Sequence, residues 1–181
     1  MTLRWAVVAT GGMARAMVED FHLIPDAELK VIVSRTQTRA DEAARIWNIP
    51  EGSSDYDSVL KRTDVDAVYI ATPHVFHFEQ SKRALEAGKH VLVEKPITMN
   101  ATEASELQKV AKRSGKFLME AMWMVFSPAI VEALRVAKSG VLGKVTFAEA
   151  NFGVAFDFDQ SKAATSRLWK RELGGGTLLD Q

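Results

Sequence analysis

Leu3-Arg4-Trp5-Ala6-Val7-Val8-Ala9-Thr10-Gly11-Gly12-Met13-Ala14 reads as an apolar strand that turns through a glycine pair into a helix. The turn follows the pattern G-x-G-x-x-G/A in part: Ala9 stands at the first glycine, Gly11 at the second, and Ala14 at the third, where alanine is accepted. The middle glycine matters most to the chemistry, because backbone without a Cβ can approach a pyrophosphate lying at the helix N-terminus. A Gly-Gly pair alone would make only a tight turn. The strand before it and the helix after it select the dinucleotide reading, with Thr10, Gly11, Gly12 and Met13 facing the phosphates.

Working outward, further apolar runs alternate with helical patterns: Leu29 to Ser34, Ala67 to Ala71, His90 to Val93 and Phe117 to Ala121. They are nearly continuous rather than alternating, as expected of parallel strands covered on both faces. The class is α/β, a Rossmann-type parallel sheet over residues 1–122. Helix punctuation agrees. Asn100 with Glu103 forms a capping box closed by Gly115, and Ser127-Pro128 opens a second helix through Ile130, Leu134 and Ala137 that stops at Gly140. From Lys144 to Phe158 the period changes to two, with Ala148, Ala150, Phe152, Val154 and Phe156 on one face. This predicts that residues 123–181 begin an α+β substrate domain with a large, mostly antiparallel sheet. Gly174-Gly175-Gly176 leads into a helix start without a stop signal, so the chain reads as cut near Gln181.

The end of the second strand selects the cofactor. An NAD site places an acid about 20 residues beyond the glycines to hold the ribose 2′-hydroxyl. Here the strand ends Val33-Ser34-Arg35, and a serine hydroxyl with a guanidinium suits a 2′-phosphate instead. The expectation is NADP rather than NAD. Arg39, one helical turn on, either reaches the same phosphate or stays a solvated surface residue.

In an open parallel sheet, ligands sit beyond the carboxyl ends of the strands. Thr72-Pro73-His74, Glu94-Lys95-Pro96 and Glu120 through Trp123 follow three of these strands and should face one crevice. An ammonium there could donate to a reacting hydroxyl and stabilise charge developing on its oxygen, which singles out Lys95. Strand-end placement alone favours a solvated turn lysine, the usual fate of that residue type. His74 and His77 lack the carboxylate or cysteine partners of a zinc site, so no metal is expected. Met119, Met122 and Met124 read as core and pocket wall.

Composition narrows the remaining classes. In 181 residues, 47% hydrophobic and 25% charged, Lys plus Arg and Asp plus Glu balance at 23 each, so no field draws in nucleic acid or a membrane surface. The absence of cysteine removes disulfides and thiolate metal sites and is compatible with a reducing compartment. No run has the length of a signal or a membrane span, and the expected location is cytoplasmic.

Taken together, the first glycine turn, Ala71-Thr72-Pro73-His74 with His77, Glu94-Lys95-Pro96, Phe117-Leu118-Met119-Glu120-Ala121-Met122-Trp123, Asn151-Phe152-Gly153 and Gly174-Gly175-Gly176-Thr177-Leu178-Leu179-Asp180 resemble the glucose-fructose oxidoreductase and inositol dehydrogenase family (Gfo/Idh/MocA). The similarity is strongest to its branch of dimeric dihydrodiol dehydrogenases and NADP-linked D-xylose dehydrogenases. The resemblance implies an NADP-dependent dehydrogenase that moves a hydride between the nicotinamide and a hydroxyl of a sugar or cyclic diol. It implies that Lys95 touches substrate and nicotinamide ribose, that Trp123 and Phe152 line the substrate pocket, and that Asp180 is the acidic partner. Thr177 and Asp180 also fit a helix cap, which is compatible with that role. The family's proton-transferring Tyr or His falls four positions beyond Asp180. Thr72, Pro73, His74, His77 and Glu94 are expected at the cofactor, and Arg167 and Trp169 to approach it, although Trp169 fits a packing role equally well. The resemblance also implies a homo-oligomer, a dimer or tetramer, through the C-terminal sheet of the full-length protein. If the chain naturally ended at Gln181, a non-catalytic NADP-binding or regulatory module would be the better reading.

Overall fold

The computed structural model describes residues 2–151, 153 and 169–176. The apolar runs form parallel strands: β1 (Leu3–Val8), β2 (Ala27–Val33), β4 (Ala67–Ile70), β5 (His90–Val93) and β6 (Leu118–Glu120). A further strand not anticipated from the sequence, β3 (Glu51–Ser53), pairs with the outer edge of β2. The order is β3-β2-β1-β4-β5-β6, and every pairing is parallel. The direction of winding therefore reverses between β1 and β4.

Both faces of this sheet are covered, which is why its strands are apolar throughout rather than alternating. Ala6, Val8, Val31, Val33, Val68, Ile70, Val91 and Val93 point to one side. There they meet Val59 and Leu60 of α3 (Tyr56–Leu60), Ala84 and Leu85 of α4 (His77–Glu86), and Leu107 and Val110 of α5 (Ala101–Ser114). Val7, Ile32 and Tyr69 point to the other, against Val18 and Phe21 of α1 (Gly12–Phe21) and Ala43 and Ala44 of α2 (Gln37–Ile46). Caps set the helix limits. The Asn100 side chain accepts the Glu103 N–H at 3.0 Å, and Gly115 ends α5 at φ +65°. Glu103 reaches back to the Met99 N–H at 3.1 Å, one residue before the position a standard capping box uses.

The described residues divide into two compact units: those through Ala121 together with 169–176, and those from Met122 onward. The second unit contains α6 (Pro128–Lys138), with Pro128 at its first turn. Ser127 makes no side-chain cap there, contrary to expectation. Met122 and Met124 are exposed rather than core. Among the described residues, the antiparallel strand expected from Lys144 does not form either. Residues 145–151 are unpaired and exposed, and the remainder, with Phe152, Val154 and Phe156, lies outside the described residues. A period-two pattern becomes a strand only beside a neighbour that takes its backbone hydrogen bonds, and no strand among the described residues does so. Among the described residues no helix is long and apolar enough to cross a membrane.

Candidate functional site

A crevice of about 780 Å³ opens at the carboxyl ends of β1, β2, β4 and β5, where the winding reverses. That is where an open α/β sheet leaves room for a ligand, since neighbouring connections depart to opposite faces. The β1 turn supplies Thr10, Gly11, Gly12 and Met13 to its wall. Gly11 is the N-cap of α1; no side chain caps this helix, and its first turn carries no acid. The leading N–H groups of α1 are thus offered to an anion, reinforced by the helix dipole. Ala9, at the fingerprint's first position, holds φ +126°, a backbone region glycine enters freely and alanine does not.

From β2 come Ser34 and Arg35, and from α2 Arg39. The Ser34 Oγ lies 3.4 Å from Thr10 Oγ1, joining the first two strand ends. Glu94 is the sole carboxylate among the described residues lining the crevice, and it is already engaged. Its Oε1 accepts the Tyr69 hydroxyl at 2.7 Å from inside the sheet, and its Oε2 accepts the Lys95 N–H at 3.3 Å. Burial, then this bond to Glu94, pushes the Tyr69 phenol up, so it stays a donor. The end of β2 therefore presents cationic and hydroxyl groups with no acid beside them.

The β4 end supplies Thr72, Pro73 and His74, and β5 supplies Lys95 beside Glu94. The Lys95-Pro96 peptide is cis. His74 is buried, and its Nδ1 lies 2.9 Å from the carbonyl of Gly174, which brings segment 169–176 onto this unit. Trp169 lies on that segment with its surface mostly exposed.

His77 departs from expectation. It is 0% exposed and off the crevice wall, with Nδ1 2.8 Å from the Pro96 carbonyl and Nε2 2.7 Å from the Thr72 carbonyl. Burial pushes its pKa down, against the upward pull of those two carbonyls. Facing inward from the first turn of α4, it meets backbone and no ligand space. Glu120 also turns away from the crevice, accepting the Ile97 N–H at 2.7 Å. Trp123, exposed, opens the second unit in a short 3-10 turn. Phe152, Arg167 and Asp180 lie outside the described residues.

Ser54, Tyr56, Phe76 and Gln80 also line the crevice and were not anticipated. Ser54 and Tyr56 follow β3, whose three residues carry no strand signal. The one local sign was Asp55, whose side chain caps α3 by accepting the Ser58 N–H at 3.0 Å. Tyr56 donates to the Gln80 carbonyl at 2.9 Å, and Thr72 Oγ1 to Gln80 Oε1 at 2.6 Å, so this wall is braced from behind.

The fold and crevice are those of a Rossmann-type dinucleotide-binding domain. Residues 3–122 match the family model described as an oxidoreductase family with an NAD-binding Rossmann fold, and the chain belongs to this Gfo/Idh/MocA family. It is 39% identical to the mouse (Mus musculus) trans-1,2-dihydrobenzene-1,2-diol dehydrogenase, over 99% of this chain and 53% of that protein. It is 31% identical to the NADP(+)-dependent D-xylose 1-dehydrogenase of Hypocrea jecorina, over 99% of this chain and 50% of that protein. Among solved structures, a 3-ketoreductase from Actinomadura kijaniata in complex with NADP matches with TM-score 0.72 and 34% identity, over 80% of this chain and 46% of that one. The chain thus spans about half the length of the relatives it matches.

Proposed function

We propose that this chain holds the cofactor of an NADP-dependent dehydrogenase that moves a hydride between the nicotinamide and a hydroxyl carbon of a sugar or cyclic diol, of the D-xylose or trans-dihydrodiol kind. The observation that carries the reading is the end of β2, where Ser34, Arg35 and Arg39 border the crevice and no acid stands to repel a 2′-phosphate. The relatives support it, one named for NADP and one solved with it.

The residues present fit the cofactor. The uncapped N-terminus of α1, with Gly11, Gly12 and Met13, would take the pyrophosphate. Ser34 and Arg35, with Arg39, would hold the 2′-phosphate by charge-assisted hydrogen bonds. Thr72, Pro73 and His74 would flank the nicotinamide end, with Glu94 just beyond the end of β5 and Arg167 and Trp169 approaching from the later segment. When bound, the nicotinamide accepts or returns the hydride. Lys95 meets the reacting hydroxyl, and its ammonium donates a hydrogen bond that stabilises negative charge developing on that oxygen. Trp123 and Phe152 would wall the substrate, and Asp180 would be the acidic partner. The same reading makes the full-length protein a cytoplasmic dimer or tetramer, assembled through its C-terminal sheet.

Fluorescence titration tests this reading on the chain itself. NADPH should bind at least about tenfold more tightly than NADH, a difference of about 1.4 kcal/mol. Arg35→Asp should reverse the preference, because a carboxylate repels the phosphate and accepts the ribose hydroxyl. Equal affinities for the two cofactors would overturn the assignment.

A further inference from the structure

The Pro96–Ile97 peptide group lies immediately beyond Lys95, and side chains from two other elements grip both its ends. His77 Nδ1, on α4, stands 2.8 Å from its carbonyl oxygen, and Glu120 Oε1, at the end of β6, accepts its N–H at 2.7 Å. A peptide group is planar, so the Glu120 bond at its N–H together with His77 at its carbonyl, donating from Nδ1 in the tautomer protonated there, fixes both its position and its plane. The pyrrolidine ring of Pro96 removes the φ freedom that would otherwise separate this plane from Lys95. On the other side, the Lys95 N–H meets Glu94, itself held by Tyr69. The backbone flanking Lys95 is therefore tied to β4, β5, β6 and α4. Neither His77 nor Glu120 lines the crevice, so Glu120 acts on a ligand only through this loop, and His77 through this loop and through Thr72.

We propose that Glu120 is a positioning residue: with His77 it pins the Pro96–Ile97 peptide and thereby sets where the Lys95 ammonium stands in the crevice. The inference rests on the reading of Lys95 as the group that meets the reacting hydroxyl. Its bond to Ile97 is charge-assisted and short, the kind that holds a loop in one place. Loss of the bond frees the peptide to rotate, and a displacement of about 1 Å at a reacting group can lower turnover by about a hundredfold.

In the intact enzyme, Glu120→Ala should lower kcat by at least about tenfold while KM and NADPH affinity stay within about threefold. Glu120→Gln keeps an acceptor oxygen at the same place and should restore kcat to within about threefold of wild type. Lys95→Met runs beside them. Normal turnover by Lys95→Met would remove the functional reading itself, whereas an inactive Lys95→Met with a fully active Glu120→Ala would overturn this proposal alone. An equal loss in the Ala and Gln variants would also overturn it. A second readout needs no activity and covers the case in which Glu120→Ala fails to fold. In the 181-residue chain the Ile97 amide should be protected from solvent exchange, and its proton resonance should move upfield in Glu120→Gln as a charged acceptor is replaced by a neutral one. An unprotected Ile97 amide in the wild-type chain, or one indifferent to Glu120→Gln, would refute the contact.

Discussion

Replacing Ala9 by glycine should stabilise the protein, although glycine is ordinarily a poor choice within folded structure. Ala9 sits at φ +126°, outside the regions open to residues with a Cβ, and a backbone held there costs about 1–3 kcal/mol. Two terms oppose the relief. Glycine loses more chain entropy on folding, about 0.5–1 kcal/mol. The methyl group, half-buried against the α1/α2 side of the sheet, gives up a part of the roughly 0.8 kcal/mol that full burial would contribute. The balance is a gain of about 1 kcal/mol, or about 2–4 °C in Tm for a protein of this size. Urea unfolding followed by circular dichroism would show a higher midpoint with an unchanged slope. NADPH affinity should hold or improve, since the substitution supplies the glycine that the dinucleotide turn favours at this position. A loss of 0.5 kcal/mol or more, on the order of the glycine entropy term alone, would show that Ala9 is unstrained and refute the reasoning.

Two further substitutions probe the sheet that carries the crevice. A Cβ added at Gly52 would stand 2.6 Å from both the Ala40 carbonyl oxygen and the Asp41 nitrogen, backbone atoms of α2 that cannot swing aside. Gly52→Ala should therefore destabilise by about 3 kcal/mol in urea unfolding, and a loss below about 1 would mean that α2 and β3 separate easily. Acid stability should depend on Asp66, whose carboxylate takes Nε and Nη2 of Arg4 at 2.8 and 2.7 Å; hydrogen bonding from Arg4 holds its pKa down to about 2. A carboxylate lowered on folding stabilises above its unfolded value near 4, and that contribution is lost as pH falls from about 4 through about 2. The pair is about a third exposed, so the effect is modest. Asp66→Asn should flatten the pH dependence of Tm in that window, and identical curves for the two proteins would refute the assignment.

How far the amino-acid order reaches is visible in individual elements. Five strands were legible because near-continuous apolar runs suit a sheet covered on both faces. The α5 limits were legible because Asn100 and Gly115 act on their own helix ends. The glycine turn, the missing acid after the second strand and the rule that ligands gather at strand ends then pointed to Thr10, to Ser34 and Arg35, and to Thr72, His74 and Lys95, all of which line one crevice. β3 was not legible, since Glu51-Gly52-Ser53 has no strand propensity and exists through pairing with β2 and close approach to α2. Ser54 and Tyr56 went unseen with it. His77 and Glu120 were expected to face the crevice and instead hold the backbone beside it. Periodicity and caps are properties of neighbouring residues, so a linear reading can recover them. Which carbonyl a histidine meets 19 residues away, or which amide a carboxylate takes 23 residues away, depends on how strands stack side by side, and no local pattern carries that information.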